Sequence, residues 1–162
     1  MLQRKFFTPQ QALQKIQHYC SYQERSHAEV KEKLYTFGLK KIEVETILAT
    51  LIENNFLNEE RFATLFAGGK FRIKKWGKIK IQHELKQKNI SSRNIQKALA
   101  EINDEDYFKT LLKLVNAKWK SLQRETTISK KIKTTRYLLQ KGFENNLIQQ
   151  AIIKICSETN TN

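Results

Sequence analysis

The sequence predicts an all-α protein, and three observations lead to that expectation. The chain of 162 residues contains five glycines and one proline, so residues that form the tight turns of sheets are scarce. Long segments are rich in Lys, Glu, Gln, Leu and Ala, which favour helices. A helix–turn–helix spacing also recurs three times. We therefore expect three tandem three-helix repeats stacked into an elongated, curved array.

The recurring spacing is centred on Gly38, Asn89 and Gly142, residue types that end helices in the left-handed conformation. A leucine precedes each centre by four residues, and apolar residues follow at helical spacing. These apolar positions are Leu34, Leu39, Val44, Leu48 and Leu51; Leu85, Ile90, Ile95, Leu99 and Ile102; and Leu138, Phe143, Ile148, Ile152 and Ile155. Each copy therefore predicts a helix, a tight turn and a second, amphipathic helix.

A further helix is predicted ahead of each pair, because a residue that caps helix N-termini stands before it. The caps are Thr8, Asn58 and Asn103, and the apolar stripes are Leu13, Ile16 and Cys20; Phe62, Leu65 and Phe66; and Leu111, Leu112, Val115, Trp119 and Leu122. Caps within the pairs are Ser26 in a box with Glu29, Ser91 or Ser92, and Thr126 or Thr127. The predicted repeats span residues 8–54, 56–102 and 103–157.

The positive charge of the chain is concentrated in its middle and later part. The formal net charge is +14 at pH 7. Residues 1–67 carry a net charge of +1, residues 68–141 carry +14, and residues 142–162 carry −1. Such concentration is typical of a surface that meets a polyanion or an acidic groove, whereas a solubilising surface normally intersperses the two signs. Binding is therefore the favoured interpretation.

The strongest local signal is a basic segment at residues 70–80, which we call the central basic strip. It contains Lys70, Arg72, Lys74, Lys75, Lys78 and Lys80, together with Trp76. Cations interleaved with aromatic rings suit contact with phosphates or with an acidic protein surface. Trp76 could stack on a base or anchor an interface, or it could pack between repeats. We expect Phe71 in the core and expect Gly77 to break one helix before the next begins at Lys78.

A second group of cations lies in the third repeat. Its members are Lys118, Lys120, Arg124, Lys130, Lys131, Lys133 and Arg136. They include Lys130, Lys131, Lys133 and Arg136 of the eighth predicted helix, α8, which begins after the cap at Thr126 or Thr127 and ends before Gly142; we refer to these four residues as the α8 basic cluster. The group predicts a binding surface, or else a solvated face beside an apolar stripe that contains Ile128, Ile132 and Leu139.

The sequence offers little that would support catalysis, a metal or a cofactor. His18 and Cys20 are half of a metal site at most, and no phosphate loop or nucleophile elbow is present. We therefore expect no catalytic residue, no metal, no cofactor and no enzyme. His27 is expected to be solvated, and Cys20 and Cys156 to be buried free thiols. Without a secretory signal or an apolar run of about 18 residues, a cytoplasmic protein is expected.

Four segments resemble the RecX family. The segment 55–63, Asn-Phe-Leu-Asn-Glu-Glu-Arg-Phe-Ala, is similar to the family's central motif, and Gly77-Lys78-Ile79 followed by Glu84-Leu85 is similar to its continuation. Lys88-Asn89-Ile90 supplies the following turn, and Arg25-Ser26 precedes a helix as in the family's opening. Asn58-Glu59 stands where the family usually has Asp-Asp, and Asn89 replaces the commoner glycine. The resemblance covers nearly the whole chain.

The resemblance implies a non-enzymatic regulator of the RecA recombinase that acts in DNA recombination and repair, and a helical array without obvious symmetry favours a monomer. Members of the family bind in the groove of the RecA–DNA filament, slow its growth or promote its loss, and affect strand exchange and ATP hydrolysis. By this resemblance the central basic strip and the α8 basic cluster would contact RecA or filament DNA, while Arg61 and Glu84 would hold the second repeat together. Two alternatives stay open: an independent single-stranded nucleic-acid-binding protein, and a helical scaffold for another acidic partner.

Overall fold

The computed structural model describes residues 6–160 and confirms the predicted all-α class. The described residues form nine α-helices and one π-helical turn, with no strand. The helices are α1 Pro9–Tyr22, α2 His27–Thr36, α3 Lys41–Glu53, α4 Glu59–Gly69, α5 Lys78–Gln87, α6 Ser92–Ala100, α7 Asp104–Ser121, α8 Thr127–Lys141 and α9 Asn145–Thr159, and the π-helical turn is Lys70–Lys74. Between residues 6 and 160, no helix is both long enough and apolar enough to cross a membrane.

Local signals in the sequence fix where these helices begin and end. Thr8 and Ser26 form complete capping boxes, with Gln11 and Glu29 as their partners. The remaining predicted caps also accept a hydrogen bond from the first turn of their helix; these are Asn58, Ser91, Asn103 and Thr126. The three predicted turn centres all have positive φ, with values of 85° at Gly38, 60° at Asn89 and 91° at Gly142. The helix–turn–helix spacing therefore arises from backbone conformations that these residue types adopt readily.

The apolar positions of the repeated spacing form much of the core. All of them are buried except Leu48, which is half-buried. Burial of large aliphatic side chains is the main favourable contribution to folding, at about 25 cal/mol per Å² of apolar surface. The periodicity in the sequence therefore corresponds to the positions that hold each helix in place.

The chain forms two compact units, whose boundaries fall inside α4, α5 and α6. The first contains residues 6–65 and 85–97, and the second contains residues 66–84 and 98–160. In the first unit α1, α2 and α3 pack around a core that includes Ile16, Leu34 and Leu51. In the second unit α7 packs against α8 and α9. The division into three repeats at 8–54, 56–102 and 103–157 stays a prediction.

Ion pairs and hydrogen bonds also stabilise the first unit. Arg61 Nε donates to Glu24 Oε1 at 2.6 Å, and the same guanidinium donates to Asn55. Arg61 thus joins α4 to residues of the predicted first repeat, instead of holding the second repeat together as expected. Lys88 Nζ pairs with Glu29 at 2.9 Å. Glu84 is half-buried and makes no ion pair within the described part of the chain.

Other sequence-based expectations about burial were wrong. Leu65 is exposed, because α4 packs through Phe62, Ala63 and Ala67 and turns its leucine to solvent. His27 is half-buried instead of solvated, and Cys156 is half-buried instead of buried. Cys20 is buried as predicted, and both thiols are free.

The predicted apolar stripe of α8 is also exposed. Ile128, Ile132 and Leu139 face solvent, whereas Thr134 and Leu138 are the buried residues of this helix. The helix therefore has an apolar face on the side that packs against the unit and a second apolar face on the outside. Helical periodicity identifies residues that share a face but does not say which face a neighbour covers.

Candidate functional site

The central basic strip begins where an α-helix changes into a π-helical turn. Helix α4 continues directly into the π-helical turn Lys70–Lys74, and Lys75 ends it in the left-handed region with φ 56°. The amide of Lys75 donates to the carbonyl of Phe71 at 3.1 Å, and the amide of Trp76 donates to that of Lys70 at 3.3 Å. A lysine in this conformation is uncommon, and π-turns are rare and often occur at functional sites. No local pattern in the sequence indicates this turn.

Directly after the π-turn, the backbone of Gly77 lies against the backbone of Gly142. The amide of Gly77 donates to the carbonyl of Lys141 at 2.7 Å, and the amide of Ile79 donates to the carbonyl of Gly142 at 3.0 Å. A Cβ atom on Gly77 would lie 2.2 Å from the carbonyl carbon and oxygen of Gly142. Helix α5 does begin at Lys78 as predicted, but Gly77 also allows this close approach, which the sequence did not reveal.

Tyr107 fixes the same junction from the side of α7. Its hydroxyl accepts a hydrogen bond from the amide of Lys78 at 2.9 Å and donates one to Glu144 Oε2 at 2.6 Å. Burial and the nearby Glu144 carboxylate raise the pKa of Tyr107 well above its usual range. The ring lies 5.6 Å from that of Phe71 and 5.1 Å from that of Phe143, between centroids. As predicted, Phe71 belongs to the core.

Trp76 is half-buried and lies between two ammonium groups. Lys70 Nζ is 5.0 Å from the ring centroid and Lys80 Nζ is 4.4 Å from it. Both distances are within the range of a cation–π interaction. The arrangement combines an aromatic surface with fixed positive charge, which can accept both a stacked ring and a phosphate group.

Most cations of the central basic strip have no internal counter-ion. Lys78 Nζ pairs with Asp104 at 2.9 Å and lies over the ring of Tyr107, so this lysine is a structural contact. Arg72, Lys74 and Lys75 are exposed and make no ion pair with any residue between 6 and 160. Apart from Lys78, the central basic strip contains five cations that can pair with an external anion.

The α8 basic cluster does not form one face. Lys133 Nζ pairs with Glu125 at 2.6 Å, and Lys130 Nζ lies 5.3 Å from the ring centroid of Trp119. Lys131 and Arg136 instead line an open groove on α8 and α9. The four residues are therefore divided between an ion pair, an aromatic contact and a groove.

Lys141 was not among the predicted contacts, yet it links α8 to the central basic strip. Its Nζ donates to the carbonyl of Lys74 at 3.3 Å and lies 5.7 Å from the ring centroid of Tyr137, whose other neighbour is Lys118 Nζ at 5.0 Å. Its helical spacing from Lys130 and Lys133, which places the three residues near one face, was the signal available in the sequence. Across the described residues, no group of three or more His, Cys, Asp or Glu side chains is placed to hold a metal ion.

Comparison with known families gives two adjacent matches. Residues 58–99 match the family model described as RecX, second three-helix domain. Residues 104–152 match the model described as RecX, third three-helix domain. Together the two models cover more than half of the chain and include the central basic strip, the α8 basic cluster, Gly77 and Gly142.

Individual relatives agree with these matches. The chain is 32% identical over 144 residues to the regulatory protein RecX of Lactobacillus gasseri, covering 89% of this chain and 53% of that protein. It is 24% identical over 140 residues to the regulatory protein RecX of Bacillus cereus, covering 86% of this chain and 52% of that protein. The chain thus spans about half the length of these curated relatives.

Solved structures support the same fold. The crystal structure of RecX from Lactobacillus salivarius superposes with a TM-score of 0.83 at 22% identity, covering 90% of this chain and 95% of that chain. A second crystal structure of a regulatory protein RecX superposes with a TM-score of 0.81 at 22% identity, covering 88% of this chain and 70% of that chain. On the family models, the relatives and the shared fold, the chain belongs to the RecX family of regulatory proteins.

Proposed function

We propose that this protein is a non-enzymatic regulator that binds in the groove of the RecA–DNA filament and restrains RecA activity. Membership of a family of regulatory proteins supports a regulatory role. The observation that carries the proposal is the central basic strip, which contains five cations without an internal ion pair, two of them, Lys70 and Lys80, close to the ring of Trp76. The strip adjoins the backbone hydrogen bonds from Gly77 to Lys141 and from Ile79 to Gly142.

The physical basis of the proposal is the availability of these charges. A lysine that is already paired loses one favourable interaction when it gains another, whereas an unpaired exposed lysine gains an ion pair and releases counter-ions from the polyanion. Lys74 and Lys75 are exposed and unpaired within the described chain, so they should contribute most to binding. Lys78 should contribute mainly to stability, because it already pairs with Asp104.

The test is the single-stranded-DNA-dependent ATP hydrolysis of RecA in the presence of substoichiometric amounts of this protein. The variant is Lys74→Glu with Lys75→Glu. The control is Lys31→Glu with Lys41→Glu, which makes the same charge change at exposed positions of α2 and α3. Far-UV circular dichroism of each variant reports whether its helices are intact.

We expect the wild-type protein and the control to suppress hydrolysis and the strip variant to lose most of this effect. Two reversed charges at a filament surface should weaken binding by roughly a hundredfold, at about 1–2 kcal/mol per residue. No effect of the wild-type protein at equimolar concentration, with filaments intact, would contradict the proposed function. Equal suppression by the strip variant and the control would exclude the strip as its origin.

One observation favours a second candidate function, the binding of free single-stranded nucleic acid. The half-buried ring of Trp76 between Lys70 and Lys80 is suited to stacking on a base beside its phosphate. This function predicts binding to naked DNA that weakens on the order of a thousandfold between 50 and 200 mM salt if about six phosphates are contacted. Filament regulation that persists where naked DNA is no longer bound would favour RecA as the partner.

A further inference from the structure

Helix α8 has an exposed apolar face. Ile128, Ile132 and Leu139 are 74%, 54% and 47% exposed. With Thr135 they occupy positions i, i+4, i+7 and i+11, which lie along one side of a helix. A different side of the helix already supplies the buried residues Thr134 and Leu138. The outer face is therefore not needed for the core of the second unit.

Ile132, Thr135 and Leu139 of this face line a groove, and Ile128 lies beyond its end. The groove has a volume of about 680 Å³, and Gln149 of α9 crosses it to donate a hydrogen bond to Thr135 Oγ1 at 3.2 Å. The lining residues are Lys131, Ile132, Thr135, Arg136, Leu139, Gln140 and Gln149. They combine an aliphatic surface with two cations and three neutral polar groups, and none of them is acidic. Neither Lys131 nor Arg136 makes an ion pair within residues 6–160.

We propose that this groove binds one acidic amphipathic helix of a partner protein. Charge complementarity selects an acidic segment, because the only charged groups of the lining are the unpaired Lys131 and Arg136. The aliphatic residues at helical spacing select a partner with apolar side chains at the same spacing, as in other helix-in-groove complexes. From Ile128 to Leu139 the stripe is about 16 Å long, the length of about three helical turns.

The residues that line the groove favour an acidic helix over two other anionic partners, a single-stranded nucleic acid and an anionic membrane. Single-stranded nucleic acid is bound through aromatic rings on which bases stack, and the groove contains no aromatic residue. An anionic membrane is bound by the convex apolar face of a helix that lies in the interface. Here Ile132 and Leu139 lie in an open groove beside the polar side chains of Gln140 and Gln149, so a protein segment fits better.

The inference deepens the proposed function and rests on it only for the identity of the partner. A displayed library of randomised 15-residue peptides is selected on the full chain. We expect enrichment of Asp and Glu together with Leu or Ile at positions i, i+4 and i+7. The best peptide is then synthesised, and its binding is measured by fluorescence anisotropy.

The groove variant is Ile132→Ser with Leu139→Ser, and the matched control is Ile42→Ser with Ile52→Ser on the exposed face of α3. Because all four side chains are exposed, we expect both proteins to fold. The peptide should bind the groove variant at least about tenfold more weakly, since two apolar contacts are lost, and bind the control as it binds the wild type. Lys131→Gln with Arg136→Gln should weaken it by about as much and reduce its salt dependence.

The inference is overturned if no peptide is enriched, if the enriched peptides are basic, or if the groove variant binds them as well as the control does. It is also overturned if the groove variant loses binding of a single-stranded oligonucleotide or of phosphatidylglycerol vesicles while retaining the peptide. A protein that has no effect on RecA but shows groove-dependent peptide binding would contradict the proposed function alone. Regulation of RecA without groove-dependent peptide binding would contradict this inference alone.

Discussion

Replacing Gly77 by alanine should destabilise the second unit more than a typical surface substitution does. The new Cβ would lie 2.2 Å from the carbonyl carbon and oxygen of Gly142 and 2.3 Å from the amide nitrogen of Phe143. These are backbone atoms, so no side chain can rotate away to make room. The two backbone segments must separate instead.

The magnitude follows from this separation. To restore an acceptable contact the segments must move apart by roughly 1 Å, which takes both hydrogen bonds of the junction beyond normal length. These bonds are the ones from Gly77 to Lys141 at 2.7 Å and from Ile79 to Gly142 at 3.0 Å. Losing two such bonds costs about 1–3 kcal/mol, and the residual strain of overpacking adds about 1–3 kcal/mol. We expect a total loss of about 4 kcal/mol.

Urea unfolding followed by tryptophan fluorescence measures this loss, because both Trp76 and Trp119 lie in the second unit. For an m-value of about 2 kcal/mol/M, the midpoint should fall by about 2 M urea. Gly69→Ala is the matched control: a Cβ there meets nothing within 4 Å, and the residue is the last of α4. Alanine should stabilise that position by up to about 1 kcal/mol. A midpoint for Gly77→Ala equal to that of the wild type would refute the reasoning.

Other properties of the fold lead to further predictions. Tyr107→Phe removes a buried hydroxyl with two hydrogen-bond partners and should lower the urea midpoint by an amount equivalent to about 1–3 kcal/mol; an unchanged midpoint would contradict this role. Although burial acts to raise the pKa of Glu29, a capping backbone amide and Lys88 lower it below 4.5. Its stabilising contribution should therefore be present above pH 4.5 and lost as the pH falls through the lowered pKa, so Glu29→Gln should destabilise the protein at pH 6.5 and by progressively less as the pH falls below 4.5. Burial raises the pKa of the Cys20 thiol to about 11, so iodoacetamide at pH 8 should modify Cys156 first, as peptide mass spectrometry would show.

Much of the fold could be predicted from the sequence because the relevant signals are local. Gly38, Asn89 and Gly142 end helices through their own backbone preference, and the caps act within one helical turn. What could not be predicted is which of two apolar faces a helix buries. Leu65 and Ile128 are exposed although each falls on a periodic apolar stripe, because burial depends on neighbouring helices that are distant in sequence.

In the candidate site, too, contacts between residues distant in sequence could not be predicted. The positions of its cations were evident from the sequence, but their internal partners were not. Lys78 pairs with Asp104, a residue on a different helix, and is thereby removed from the set of free charges. The contact between Gly77 and Gly142 joins residues even farther apart in the chain. No local pattern encodes such pairs, so the sequence alone could not separate binding cations from structural ones.

The π-helical turn at Lys70–Lys74 has a consequence for the number of residues in this part of the chain. A π-helical turn contains one residue more than the α-helical turn it replaces. Each residue of an α-helix rotates the chain by about 100°. Deleting one residue here would allow regular α-helical hydrogen bonds to continue. It would also rotate Gly77 away from the carbonyl of Lys141. The segment from Gly69 to Gly77 is therefore fixed in length, and relatives should accept substitutions of its exposed lysines more readily than insertions or deletions.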